Sequence, residues 1–170
     1  MPLLKEDTKE SLKSTAKESF LILIYELIGT CMMSALITNY YYAAEVYGRN
    51  DYTGLLLGMF VTIMFSARIS GSHFNPCITF SFMIGNVKHG NFDRVLGILY
   101  ILAQFAGAFG GALLAEVFTG SQTDKGITMA VNGDDMIQQI VLEVMGSFFL
   151  VFMYLSSTDV KTKFTKDSAI

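Results

Sequence analysis

His73 and Cys77 stand four residues apart in the stretch ISGSHFNPCITF, residues 69 to 80. A base and a thiol one helical turn apart could share a proton and arm a nucleophile. Such chemistry needs a thiol pushed toward thiolate and a third group to orient the base. The flanking segments are apolar and supply neither, so no catalytic residue is assigned and the chain does not read as an enzyme. Cys31, His73, Cys77 and His89 lack the spacing of a zinc site, and no metal or cofactor is implied. Glu26 and Glu143 sit inside apolar runs, where an acid is expensive and usually functional; proton relay and structural bracing are both open to them.

What the stretch does offer is hydrogen bonding. Residues 70 to 76 hold two serines, a glycine, a histidine, an asparagine and a proline. Asparagine is a preferred N-cap and proline a preferred first helical residue, so Asn75 and Pro76 open a helix. The apolar run from Cys77 to Ile84, closed by Gly85 and Asn86, allows two turns but no crossing. A short helix of this kind directs its electropositive end, worth roughly half a charge, back toward Asn75. The Asn75 side-chain oxygen can cap a backbone N–H while its NH₂ group still donates elsewhere. Gly71, Ser72 and His73, read as extended, would present carbonyl acceptors in a row. A file of acceptors leading to a fixed donor orients water or a small hydroxylated solute and disfavours cations.

The surrounding elements set the depth of this stretch. The chain has 170 residues, 52% hydrophobic and 16% charged, with a net charge of −3. That balance argues for membrane residence and gives no sign of nucleic-acid binding. Two cysteines make no disulfide framework, and Cys31 and Cys77 read as small buried hydrophobes. Four apolar segments, 20–44, 52–67, 95–118 and 136–157, are candidate spans, the second being short against the ~20 residues a crossing takes. Lys5, Lys9, Lys13 and Lys17 in the amino-terminal tail could line one helical face against an anionic leaflet; a solvated tail is the simpler reading. Ten Lys and Arg fall on the side of the tail, the 68–94 stretch and the carboxy terminus, and only Arg49 and Lys125 on the other. The amino terminus is therefore expected in the cytoplasm. Unpaired backbone at such depth is tolerated only where it lines water or is buried in protein. That makes the polar stretch a re-entrant loop.

Two packing signals accompany the spans. Ala103, Gly107, Gly111 and Ala115 form a stripe of small residues at spacing four, and Gly54 with Gly58 forms a shorter one. Glu26, Gly29 and Thr30 also recur, 117 residues later, as Glu143, Gly146 and Ser147. Three spans separate the copies, so the second enters from the opposite side: an inverted repeat. The counterpart of Asn75 would fall beyond Ile170, and the chain is expected to be a fragment.

Ser70-Gly71-Ser72-His73-Phe74-Asn75-Pro76, Glu26 with Gly29 and Thr30, Tyr100 with Gln104 and Gly107, and Glu143 with Gly146 together resemble the aquaporin, or major intrinsic protein, family. The resemblance covers about residues 19 to 160. It implies an all-α membrane protein, an aquaporin-like right-handed bundle of inverted three-helix repeats, here truncated after the fourth transmembrane helix and holding one re-entrant half-helix. The expected layout is a tail at 1–18 and a first repeat at 19–118, with helices at about 19–44, 52–68 and 95–118 and the loop and half-helix at 69–85. An outer loop at 119–135, a helix at 136–158 and a cytoplasmic loop at 159–170 complete it. The resemblance further implies a passive channel for water, glycerol or other small neutral solutes, assembled as a homotetramer in the lipid bilayer. Pore residues would be Gly71, Ser72, His73, Asn75, Pro76 and Cys77, with Leu57 matching the filter position on the second helix and Glu26 bracing the loop near His73. Three departures stand out. The family's Asn-Pro-Ala is Asn-Pro-Cys here, and the 17 residues from Gly58 to Asn75 are about two fewer than usual. The second Asn-Pro motif and the filter arginine are absent from the chain. The alternative is a non-conducting half-channel that serves as a scaffold or pairs with a second half.

Overall fold

The computed structural model describes residues 3–48, 52–85, 92–120 and 136–158. Five helices lie within them: α1 (Leu3–Tyr47), α2 (Tyr52–Ser66), α3 (Pro76–Ile84), α4 (Arg94–Thr119) and α5 (Met136–Thr158). Ala16–Tyr47 of α1, together with α4 and α5, is long and apolar enough to cross a membrane; α2 is a shorter apolar helix of 15 residues. At 1.5 Å per residue α2 is about 22 Å long, less than the ~30 Å hydrocarbon thickness. α1 continues without a break through the segment read as a tail, although the side chains of Lys5, Lys9 and Lys13 lie outside the described structure. Most of the expected outer loop, residues 121–135, and the expected cytoplasmic loop, 159–170, also lie outside the described residues.

Helix ends follow local chemistry. Asp93 caps α4, its side chain accepting from the Val95 N–H at 2.8 Å. Gly120 ends α4 in the left-handed region at φ 65°, with its N–H returned to the Glu116 carbonyl. Both devices satisfy backbone groups that a helix terminus leaves unpaired.

The tightest packing joins α1 and α4. A methyl group built on Gly107 would stand 2.4 Å from the Leu27 carbonyl oxygen, and one on Gly111 would stand 2.3 Å from that of Cys31. The two backbones touch because these positions carry no side chain. Gly107, Gly111 and Ala115 are buried in this seam, and the Ser34 hydroxyl crosses it to the Ala108 carbonyl at 2.9 Å. α2 leans on α1 through the stacked rings of Tyr25 and Phe65, centroids 4.9 Å apart, and through Gly58 against Leu36. Gly54, expected to pack in the same way, has nothing within 4 Å of a would-be methyl: a one-turn pair of glycines is used only where a partner reaches it. α5 packs on α3 and on no other helix among the described residues.

Glycine at the seam can therefore be tested against glycine in the open. Gly111→Val should force α1 and α4 apart and cost about 1–3 kcal/mol. Gly54→Ala should leave stability unchanged or raise it by up to ~1 kcal/mol through helix propensity. Thermal unfolding in detergent micelles, followed by circular dichroism, reads both.

Candidate functional site

Between α2 and α3 the chain leaves helical geometry. Gly71 lies at φ 86°, Ser72 at 56° and Phe74 at 47°. Glycine adopts the left-handed region freely, whereas each of the other two costs on the order of 1–3 kcal/mol. Such a backbone needs an external hold, and α1 and α4 supply it.

The hold is the carboxyl group of Glu26, which is fully buried. One oxygen accepts from the Ser70 hydroxyl at 2.6 Å and from the His73 N–H at 3.0 Å. The other accepts from the Phe74 N–H at 2.8 Å and from the Gln104 amide of α4 at 2.9 Å. Four donors thus meet two oxygens, a complete account for a buried acid. The hydroxyls of Ser66 and Ser70 share a further bond of 2.6 Å. Tyr100 of α4 donates to the Ser70 carbonyl at 2.8 Å, and Ser72 donates its hydroxyl to the Ile63 carbonyl at 2.7 Å. Gly29, one turn beyond Glu26, is the socket for the loop's largest side chain. A methyl there would lie 2.0 Å from the Phe74 ring.

Gln104 extends the network. Its NH₂ group donates to Glu26 and also to the Thr79 hydroxyl at 3.0 Å, leaving Oε1 buried without a partner. The reversed amide would set a carbonyl against the Glu26 carboxyl oxygens, so the orphan acceptor is the lesser cost. Thr79 Oγ1 also lies 3.1 Å from His73 Nδ1 and 3.3 Å from the Asn75 carbonyl. With the His73 proton on Nδ1, the ring donates to Thr79 Oγ1 and the Thr79 hydroxyl donates to the Asn75 carbonyl; in the other tautomer that hydroxyl serves only one of the two acceptors. The His73 ring is buried among Phe82, Phe92, Tyr100 and Tyr154, with centroids 4.9 to 5.6 Å away.

At the start of α3, Asn75 is the N-cap, accepting from the Cys77 N–H at 2.8 Å, and Pro76 fills the first helical position. The Asn75 Nδ2 group has no partner among the described residues and remains a donor. Gly71, Ser72, His73, Asn75, Pro76 and Cys77 are thus brought together, with Glu26 behind them. Three expectations need correction. Gly71 and Ser72, read as extended, turn through the left-handed region at φ 86° and 56°, because the loop coils around its hydrogen bonds to α1 and α2. The Gly71 carbonyl, read as an open acceptor, takes the hydroxyl of Tyr154 from α5. Cys77, read as a buried hydrophobe, is exposed because it occupies the outward side of the first turn of α3, whose packed positions are Ile78 and Thr79. Leu57 lies apart. It is exposed on α2, nine residues from Ser66 and so half a rotation away from the packed face. Glu143 is exposed on α5 among the described residues.

Sequence reasoning missed Ser66, Thr79 and Tyr154. The first two give no signal beyond a hydroxyl in an apolar run. Tyr154 gives a weak one, a polar-tipped ring on the same span as Glu143.

Comparison with known proteins follows the same lines. Residues 6–170 match the family described as Major intrinsic protein. Aquaporin TIP2-1 of Zea mays is 30% identical over 149 residues, which is 83% of this chain and 55% of that protein. Probable aquaporin TIP2-2 of Oryza sativa subsp. japonica is 34% identical over 105 residues, 61% of this chain and 40% of its own length. Aquaporin TIP1-1 of Arabidopsis thaliana is 33% identical over 105 residues, with the same coverage. The chain spans about half the length of the curated relatives it matches. No solved structure gives a significant match.

The four-donor arrangement makes Glu26 sensitive to a change of one atom. Glu26→Gln turns one acceptor into a donor facing donors, leaving at least one buried N–H unpaired, and should cost about 1–3 kcal/mol. Glu26→Leu strands all four donors and should lower the detergent melting temperature further. Equal melting of Gln, Leu and wild-type proteins would show that the loop is held by something else.

Proposed function

The chain belongs to the major intrinsic protein family, and on that footing we propose that it builds the first repeat and the opening helix of the second repeat of a passive transmembrane water channel. The observation that carries the reading is Asn75. Its side-chain oxygen is committed to the Cys77 N–H while its NH₂ group is left to donate, at the electropositive end of α3. A water molecule reaching that point must offer an oxygen lone pair, so its own protons turn away from it. The same donor and the same helix end disfavour cations. Glu26 braces the loop from behind so that this donor keeps its place.

In this reading the 69–85 segment enters from the cytoplasmic side, where ten of the Lys and Arg residues lie, and α3 returns toward it. Gly71, Ser72 and His73 approach Asn75 along the inner half of the passage. His73 contributes its backbone there, since its ring is committed to the aromatic cluster behind the loop. Leu57, on the open side of α2, would face the passage nearer the outer mouth. Family membership supports a homotetramer in the bilayer, each subunit with its own pore. No step of this function breaks a covalent bond, so the side chains need only position and exclude.

Asn75→Asp isolates the donor. The cap survives because an Asp oxygen also accepts from the Cys77 N–H, but an ionised carboxylate donates nothing and brings negative charge to the helix end. In proteoliposomes of the full-length protein, osmotic shrinkage should slow several-fold or a cation conductance should appear. Unchanged water flux with no leak would count against Asn75 as the orienting donor.

A further inference from the structure

Phe74 immediately precedes Asn75, and α1 holds it at two points. Its N–H donates to one Glu26 carboxyl oxygen at 2.8 Å. Its ring is buried and reaches α1 one turn further on, at Gly29, which is buried as well. A methyl built on Gly29 would lie 2.0 Å from the ring atom Cε1, 2.1 Å from Cζ and 2.8 Å from Cδ1. The space that a side chain at 29 would need is already taken by the far edge of the ring.

The fit matters because of the residue that follows it. Phe74 lies at φ 47°, a conformation that bulky residues rarely adopt, and Asn75 returns to extended geometry at φ −144°. Relaxing Phe74 to an ordinary negative φ would turn the chain beyond it by roughly 100° about a single bond. Asn75 would move first. Its carboxamide cannot oppose that turn, because its oxygen is bound to the Cys77 N–H within α3 and the cap travels with the helix. Glu26 and Gly29 stand three apart and so share a face of α1. A hydrogen bond at one and a seated ring at the other fix a direction, where the hydrogen bond alone would fix only a point. We propose that Phe74 is a positioning residue for Asn75: its ring, seated against Gly29 of α1, locks the left-handed turn that aims the Asn75 donor. This rests on the channel reading given above, in which that donor orients water.

The test uses the full-length protein in proteoliposomes, with water flux read by light scattering after a sucrose step and potassium leak by a potential-sensitive dye. Flux is expressed per folded channel, and detergent melting is followed beside it. Phe74→Leu deletes Cε1 and Cζ, the two ring atoms nearest Gly29, and keeps an apolar side chain. It should lower flux about threefold or open a potassium leak, a size common for residues in direct contact. Gly29→Ala drives the ring out of its seat and should do the same. In the double variant the new methyl occupies the place of the deleted ring edge, so flux should return to within about twofold of wild type and the leak should close. If both single variants melt lower yet conduct as wild type per folded channel, the ring is merely structural and the proposal is overturned, with the channel reading intact. A double variant no better than Phe74→Leu alone overturns it equally. Should Gly29→Ala fail to fold, the comparison of Phe74→Leu with the double variant decides by the same rule. Wild-type protein without water flux would remove the channel reading, and the positioning role with it.

Discussion

The Glu26 carboxyl group gathers donors from two segments far from it in sequence: three from the 70–74 loop and one from Gln104 on α4. Those bonds sit beside the two non-glycine residues held in left-handed geometry, Ser72 and Phe74. The strain, on the order of 1–3 kcal/mol per residue, is comparable to the worth of two to four buried hydrogen bonds at about 1 kcal/mol each. Loop shape and carboxyl position are therefore one problem with one solution. Without the acid the backbone would have reason to relax, and the start of α3 would move with it.

That solution depends on how closely α1 and α4 approach. Gln104 reaches Glu26 because Gly107 and Gly111, one and two turns further along the same face, let the backbones touch. Tyr100, one turn before Gln104 on the same buried stripe, reaches the Ser70 carbonyl. The stripe thus changes purpose along one helix: Tyr100 reaches the loop, Gln104 reaches Glu26 and Thr79, and the absent side chains let α1 approach. Gly29 is the matching feature on α1, where the missing methyl makes room for Phe74. Each glycine that matters here is explained by contact with a particular atom rather than by backbone freedom.

Much of the fold was legible in sequence because its signals are local or periodic. Asn75 before Pro76 marks a helix start by cap chemistry alone, and the stripe through Gly107 and Gly111 marks a helix contact by spacing alone. The apolar lengths of α1, α4 and α5 mark a membrane protein. What could not be read were partners that depend on three-dimensional approach. Nothing in sequence assigns the Phe74 ring to Gly29, Thr79 to Gln104, or the Tyr154 hydroxyl to Gly71. Gly54 shows the converse, a spacing signal without a neighbour, and Cys77 shows that an apolar context does not bury a residue at the open turn of a short helix. Backbone sign was equally hidden, since Ser72 and Phe74 are not residues that favour positive φ.

The Glu26 network also has a history within each molecule. A ribosome delivers residue 26 to the membrane well before residues 70 to 104 exist, so α1 enters lipid with its acid unpartnered. On insertion scales a mid-membrane acid costs about 3 kcal/mol, which apolar neighbours such as Leu21, Ile22, Leu23 and Ile24 offset at roughly 0.3–0.6 kcal/mol apiece. The acid thus gains its four partners only from segments made after it, and in their absence it is the costliest residue of α1 in an apolar setting.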